Sequence, residues 1–225
     1  PYTAWAVAGD FLTNLVPGWG EMRTVRKFQK IVKVVVNIRD AIKSSKAIHG
    51  LDDAVKHLKG QFDAVQDAFM AGNMGKVKEQ TRALLGKIFE LRLAKDLDNV
   101  HSTGLNPLNV MKELGLDQSI AKKYGHISDI DIVQKVGNKI IVGEAKSGAK
   151  FLKLKTIYKD GELSKAGKQL EDRIKFTKDI QDTSKGPAEF TLHISDDMSE
   201  SFKKELIDLG QSHGVKVNIE VLKID

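Results

Sequence analysis

Apolar residues recur at helical spacing through the first part of the chain and at strand spacing through much of the rest. Val25, Phe28, Ile31, Val32, Val35 and Val36 are interleaved with Arg23, Arg26, Lys27, Lys30 and Lys33, which predicts a helix. The VPGWG stretch (16–20) is a turn separating that helix from an earlier one. Leu51, Val55, Leu58, Phe62, Val65 and Phe69 form one stripe and predict a helix over 51–70, followed by a linker at AGNMG (71–75). A second long helix fits 76–97, and a loop or short-helix region runs through NPLNVMKELGLDQS. Strand-like runs follow at 127–135 and 139–146, then a Lys-rich segment (150–168) with a turn at KDGE (159–162). A helix at 165–181, a strand at 188–194, a helix at 198–212 and a strand at 215–222 complete the pattern. This mixture predicts an α/β (α+β) layer fold, with a helical region over 1–75 and a mixed domain over 76–225.

Composition narrows the function classes. With no cysteine, disulfides, thiol catalysis and Cys-based zinc sites are excluded. Lys plus Arg number 36 against 30 Asp plus Glu, and the net charge of +6 suits an anionic partner such as nucleic acid. The chain begins with Pro1 rather than Met, as expected of a piece of something longer. The apolar stretch AWAVAGDFLTNLV (4–16) contains Asp10, lacks a basic leader, and is expected to be a buried amphipathic helix rather than a membrane anchor.

The candidate chemistry lies in SDIDIVQKVGNKIIVGEAKSG. Gly137-Asn138 between two β-branched runs reads as a two-residue hairpin turn. With that turn, cross-strand partners have numbers that sum to 275, so Asp131 faces Glu144 and Asp129 faces Lys146. Side chains alternate along a strand, which puts all four on one face and turns Ile130, Ile132, Ile141 and Ala145 toward the core. Two facing carboxylates repel unless a cation lies between them, and oxygen ligands suit Mg²⁺ or Mn²⁺. Lys146 can orient or deprotonate a water, or stabilise a charged transition state. A solvated sheet face of mixed charge is the plainer alternative.

These residues resemble the PD-(D/E)XK, or restriction-endonuclease-like, nuclease superfamily. Asp131 matches its first acidic position and Glu144-Ala145-Lys146 its (D/E)-x-K, although no Pro precedes Asp129 or Asp131. The resemblance covers residues from 76 onward. It implies a mixed central sheet in an αβββαβ-type core, a divalent metal (Mg²⁺ or Mn²⁺, with Zn²⁺ also open) held by Asp131, Glu144 and Glu90, and a catalytic role for Lys146. Glu90, in GKIFELRLA, is the candidate for the acidic residue of the first core helix, with Glu79 the weaker alternative. Ala83, Gly86 and Ala94 share its face and would let the helix approach the sheet closely. An ordinary surface pairing of Glu90 with Lys87 or Lys95 is the alternative.

Gln169, in AGKQLEDRIKF, is the candidate polar residue of the helix after E-x-K, with Lys168 and Arg173 as phosphate contacts. Seven lysines fall within the 23 residues from Lys146 to Lys168, and Lys150, Lys153 and Lys155 among them are expected to attract a phosphate backbone. Asp129, as a ligand or only as a neighbour of Lys146, and Ser147 are further candidates for the site. His126 and His193 are expected to be surface and structural histidines.

The chain as a whole also resembles the C-terminal toxin region of polymorphic toxins, contact-dependent growth inhibition effectors in particular. That resemblance rests on the start without Met, on NLVPGWGE (14–21), which is similar to the turn of pre-toxin segments, and on the nuclease-like domain that follows. It implies a protein secreted or displayed as part of a larger bacterial chain and acting in the target-cell cytoplasm. Residues 1–75 would serve delivery, and a cognate immunity protein would block the site. DNA is favoured as substrate, being commoner in the superfamily, with tRNA as the alternative. A housekeeping resolvase-like nuclease, a non-catalytic nucleic-acid-binding module and a membrane-active toxin using residues 4–16 are the competing classes.

Overall fold

The computed structural model describes residues 48–222, apart from the side chains of residues 149 and 150. The helices expected before residue 48, the VPGWG turn and the 4–16 stretch lie outside the described residues.

Helix α1 (Leu51–Met70) buries Leu51, Ala54, Leu58, Val65 and Ala68 on one stripe, as its periodicity predicts. The AGNMG segment is a tight connection, and Asn73 caps helix α2 (Met74–Asp96) by accepting from the Lys76 N–H at 3.0 Å. Buried residues are spread around α2, including Val77, Leu84, Ile88, Phe89, Leu91 and Leu93. Helix α1 packs on one side of α2 and the sheet lies on another.

The chain then enters strand β1 (Val100–Leu105), which the sequence pattern does not predict. Its buried centre is Ser102 and Thr103, so no apolar alternation marks it. Helix α3 (Pro107–Glu113), capped by Asn106, and a 3₁₀ turn (Gln118–Tyr124) lead to strands β2 (Ile130–Val136) and β3 (Lys139–Lys146). Helix α4 (Ala149–Leu152) precedes the small hairpin of β4 (Tyr158–Lys159) and β5 (Glu162–Leu163). The expected KDGE turn closes that hairpin, with Asp160 and Gly161 at φ 54° and 82°. Helix α5 (Lys165–Ser184), strand β6 (Ala188–Ile194), helix α6 (Glu200–Ser212) and strand β7 (Lys216–Val221) follow.

The five long strands form one mixed sheet in the order β1-β2-β3-β6-β7. The β1–β2 and β2–β3 pairs are antiparallel, and β3–β6 and β6–β7 are parallel. The protein is therefore α+β, and α2-β1-β2-β3-α5-β6 runs in the expected αβββαβ order. Ile132 and Ala145 join the core formed with α1 and α2. Val133, Val142, Phe190 and Leu192 join the core formed with α5 and α6. Helices thus cover both faces of the sheet. Among the described residues no helix is long and apolar enough to cross a membrane.

Two finer expectations are corrected. Ile130, Ile132 and Ala145 are buried as expected, but Ile141 is only half-buried, and Ile130 packs with the α5 side. On α2, Ala94 is buried, whereas Ala83 is exposed and a Cβ at Gly86 would meet nothing. The close approach of α2 to the sheet therefore does not rest on a stripe of small residues.

Candidate metal centre

The hairpin register is the one the two-residue turn dictates. Val136 pairs with Lys139 and Ile132 with Gly143, and Gly137 takes φ 62°, a conformation its missing Cβ allows. Continued by one residue, this register sets Asp131 against Glu144. Both are buried, Glu144 almost completely at 1% exposure. The solvated-face alternative is thereby excluded, because α2 and α5 close over this end of the hairpin.

Asp131 is held through backbone groups. The Ala145 N–H donates to its Oδ2 at 2.8 Å, and the Thr103 hydroxyl donates to its carbonyl at 2.8 Å. Strand β1, unmarked in the sequence, thus positions the first acidic residue. Burial, with Glu144 and Glu90 nearby, pushes the Asp131 carboxyl well above the usual carboxylate range. A cation among these groups relieves that repulsion.

Glu144 is surrounded by donors. Lys146 contacts Oε1, the Gln169 amide donates to Oε1 at 3.3 Å, and Arg173 Nε donates to Oε2 at 2.9 Å. Arg173 also donates to the Asp129 carbonyl at 3.0 Å. Here the structure corrects an expectation: Arg173 is buried and holds the carboxylate in place, so it does not project as a phosphate contact. Gln169 is on the expected helix and reaches the site. Burial opposes the Lys146 ammonium, but Glu144 and Asp131 outweigh it and raise its pKa. The Lys146 ammonium lies 5.9 Å from the centre of the Phe151 ring.

Glu90 projects from α2 toward Asp129 and Asp131. One carboxylate oxygen from each of the three lies within 4.8 Å of the others, so this group could hold a metal ion. Three carboxylates are a donor set for a hard cation. Asp129 turns to Lys87, at 3.0 Å, and to the Ser128 hydroxyl, at 2.7 Å, rather than to Lys146. Lys87 also donates to Glu90 Oε2 at 2.5 Å. The pairing of Lys87 with Glu90 weighed as a surface feature is real, but Lys87 is only 7% exposed and lies inside the site. Its signal in the sequence is a lysine three residues after Leu84 and four before Leu91, on a buried face of α2.

The remaining candidates lie further out. Lys153, Lys155 and Lys168 are exposed, the first two between α4 and β4 and the third beside Gln169. Lys150 belongs to α4, and its side chain lies outside the described ones. Ser147 follows the end of β3, and its carbonyl accepts from the Ser195 hydroxyl at 3.4 Å. Glu79 is exposed on α2. His126 is exposed, 2.9 Å from Asp172, and His193 is fully buried in β6, 3.2 Å from Glu220.

The Glu90 carboxyl has a consequence for stability. Burial pushes it from an ordinary 4.5 up to about 6, against the pull of Lys87. Between those two values the folded state holds a proton that the unfolded chain has released. Without metal, this group's contribution to stability is therefore greatest below about pH 4.5 and declines as pH rises to 6. The decline amounts to about 2 kcal/mol. Urea unfolding of the wild type and of Glu90→Gln across this range measures it, and the wild-type curve should fall relative to the variant's. Parallel curves would refute it.

No family model, curated protein or solved structure matches the chain.

Proposed function

We propose that the chain is a metal-dependent endonuclease that hydrolyses phosphodiester bonds, with DNA favoured over tRNA, and that it acts as a toxin in competition between bacteria. The observation that carries this reading is the convergence of Asp131, Glu90 and Asp129 beside Glu144 and Lys146, at one end of a hairpin to which α5 adds Gln169 and Arg173. Asp131 and Glu90, with Asp129 in place of the expected Glu144, are the residues proposed to hold Mg²⁺ or Mn²⁺. Such an ion, when bound, neutralises phosphate charge and lowers the pKa of a bound water.

The chain's own groups have separable tasks. Lys146 supplies a hydrogen-bond donor and a positive charge for a phosphate oxygen. Arg173 and Gln169 fix the Glu144 carboxylate so that it does not reorient during the reaction. The exposed Lys153, Lys155 and Lys168 attract the nucleic-acid backbone, which makes substrate binding salt-dependent. In the toxin reading, delivery falls to residues 1–75, and a cognate immunity protein presents acidic residues to these lysines.

Incubation of the purified chain with plasmid DNA and with total tRNA, in Mg²⁺ with and without EDTA, tests the proposal. Plasmid nicking that EDTA abolishes is the expected result. Cleavage of tRNA alone would move the reading to the tRNA alternative. Failure to cut either substrate in Mg²⁺ or Mn²⁺ would overturn it.

A further inference from the structure

A buried lysine already occupies the carboxylate group proposed for the metal. Lys87 places its ammonium 2.5 Å from Glu90 and 3.0 Å from Asp129, two of the three residues of the metal-capable group. Its side chain is 9% exposed, so water supplies little of its solvation. Gly104 of β1 also lies close by, where a Cβ would stand 3.8 Å from the ammonium. That is an ordinary contact distance, and Lys87 itself is among the buried residues of α2. An oxygen that accepts from an ammonium offers that direction to no metal ion, and a divalent ion close to the ammonium is repelled by it.

We propose that Lys87 is a tethered cation that stands in for the divalent ion, neutralising Glu90 and Asp129 until a metal displaces it. The inference rests on the metal reading of the site. It makes Lys87 a positioning residue that sets the metal concentration at which the site loads. Without an internal cation the same carboxylates would repel one another, and the fold would depend on metal. With it, the apo protein keeps its hairpin end closed and binds metal more weakly than its donor set allows.

Mn²⁺ titration of the whole chain by calorimetry, in the wild type, Lys87→Met and Lys87→Arg, tests this. Lys87→Met should bind Mn²⁺ about tenfold more tightly or better, because the competing charge is gone while the stem is kept. Lys87→Arg, which retains the charge, should stay within about threefold of the wild type. A residue with only a structural role would not tighten binding when lost. Unchanged or weaker binding by Lys87→Met, or equal tightening by Lys87→Arg, overturns the inference while leaving the metal site intact. Absence of Mn²⁺ binding in every form removes the metal reading along with it. If Lys87→Met does not fold alone, folding on addition of Mn²⁺, followed by circular dichroism, supports the inference, and failure to fold at any Mn²⁺ concentration overturns it.

Discussion

Asp131→Asn and Lys146→Ala are each expected to lower phosphodiester cleavage by roughly 10²–10³-fold, the scale of losing one preorganised charged group from an active site. The two substitutions remove different things. Asparagine still presents an oxygen to the Ala145 N–H, so the hydrogen bond that fixes this side chain survives. What disappears is the charge a metal needs. Because Glu144 and Glu90 already repel the Asp131 carboxylate, its neutralisation should leave the melting temperature unchanged or raised. Lys146→Ala instead removes the donor beside Glu144, while Arg173 and Gln169 keep that carboxylate in place. Plasmid nicking in Mg²⁺ measures the loss, and thermal unfolding by circular dichroism checks the fold. Full activity in either variant would exclude these residues from the chemistry.

Arg173→Met should produce the largest loss of stability, about 3–5 kcal/mol, because it takes the buried partner from a buried carboxylate and leaves Lys146 as its one counter-charge among the described residues. The Arg173 and Glu144 side chains are 5% and 2% exposed, so water cannot replace the lost partner. Arg173 also holds the Asp129 carbonyl, so the start of β2 should loosen as well. The double variant Glu144→Gln/Arg173→Met separates two causes. If the cost comes from the unpaired charge, the double variant recovers much of the stability. If it comes from lost packing and the lost carbonyl contact, it does not. Urea unfolding of the three forms measures this, and a loss below about 1 kcal/mol in the single variant would mean that Lys146 and Gln169 make up for the lost partner.

The hairpin was legible because its determinants are local. A Gly-Asn turn between two β-branched runs fixes the register without reference to the rest of the chain. The same holds for α1, whose stripe lies within the helix, and for α5 and α6, whose capping residues Ser164 and Ser199 stand next to them. Strand β1 was not legible. VHSTGL buries a serine and a threonine, and its strand character comes from pairing with β2 and, at Ser102, with His49. Arg173 read as a phosphate contact for a similar reason. An arginine on a helix is an exposed cation until the tertiary fold presents a buried carboxylate to it.

The sequence by itself determined the hairpin and its facing carboxylates, the order of most helices and strands, and the helix that carries Glu90. Tertiary structure decided the state of the charged groups. Whether a carboxylate is solvated or buried depends on which helices close over it, and that is a long-range property that no local spacing encodes. Burial turned the Asp131–Glu144 pair from a polar strand face into a closed cluster, recruited Arg173 as a brace, and placed Lys87 among the carboxylates proposed to hold the metal.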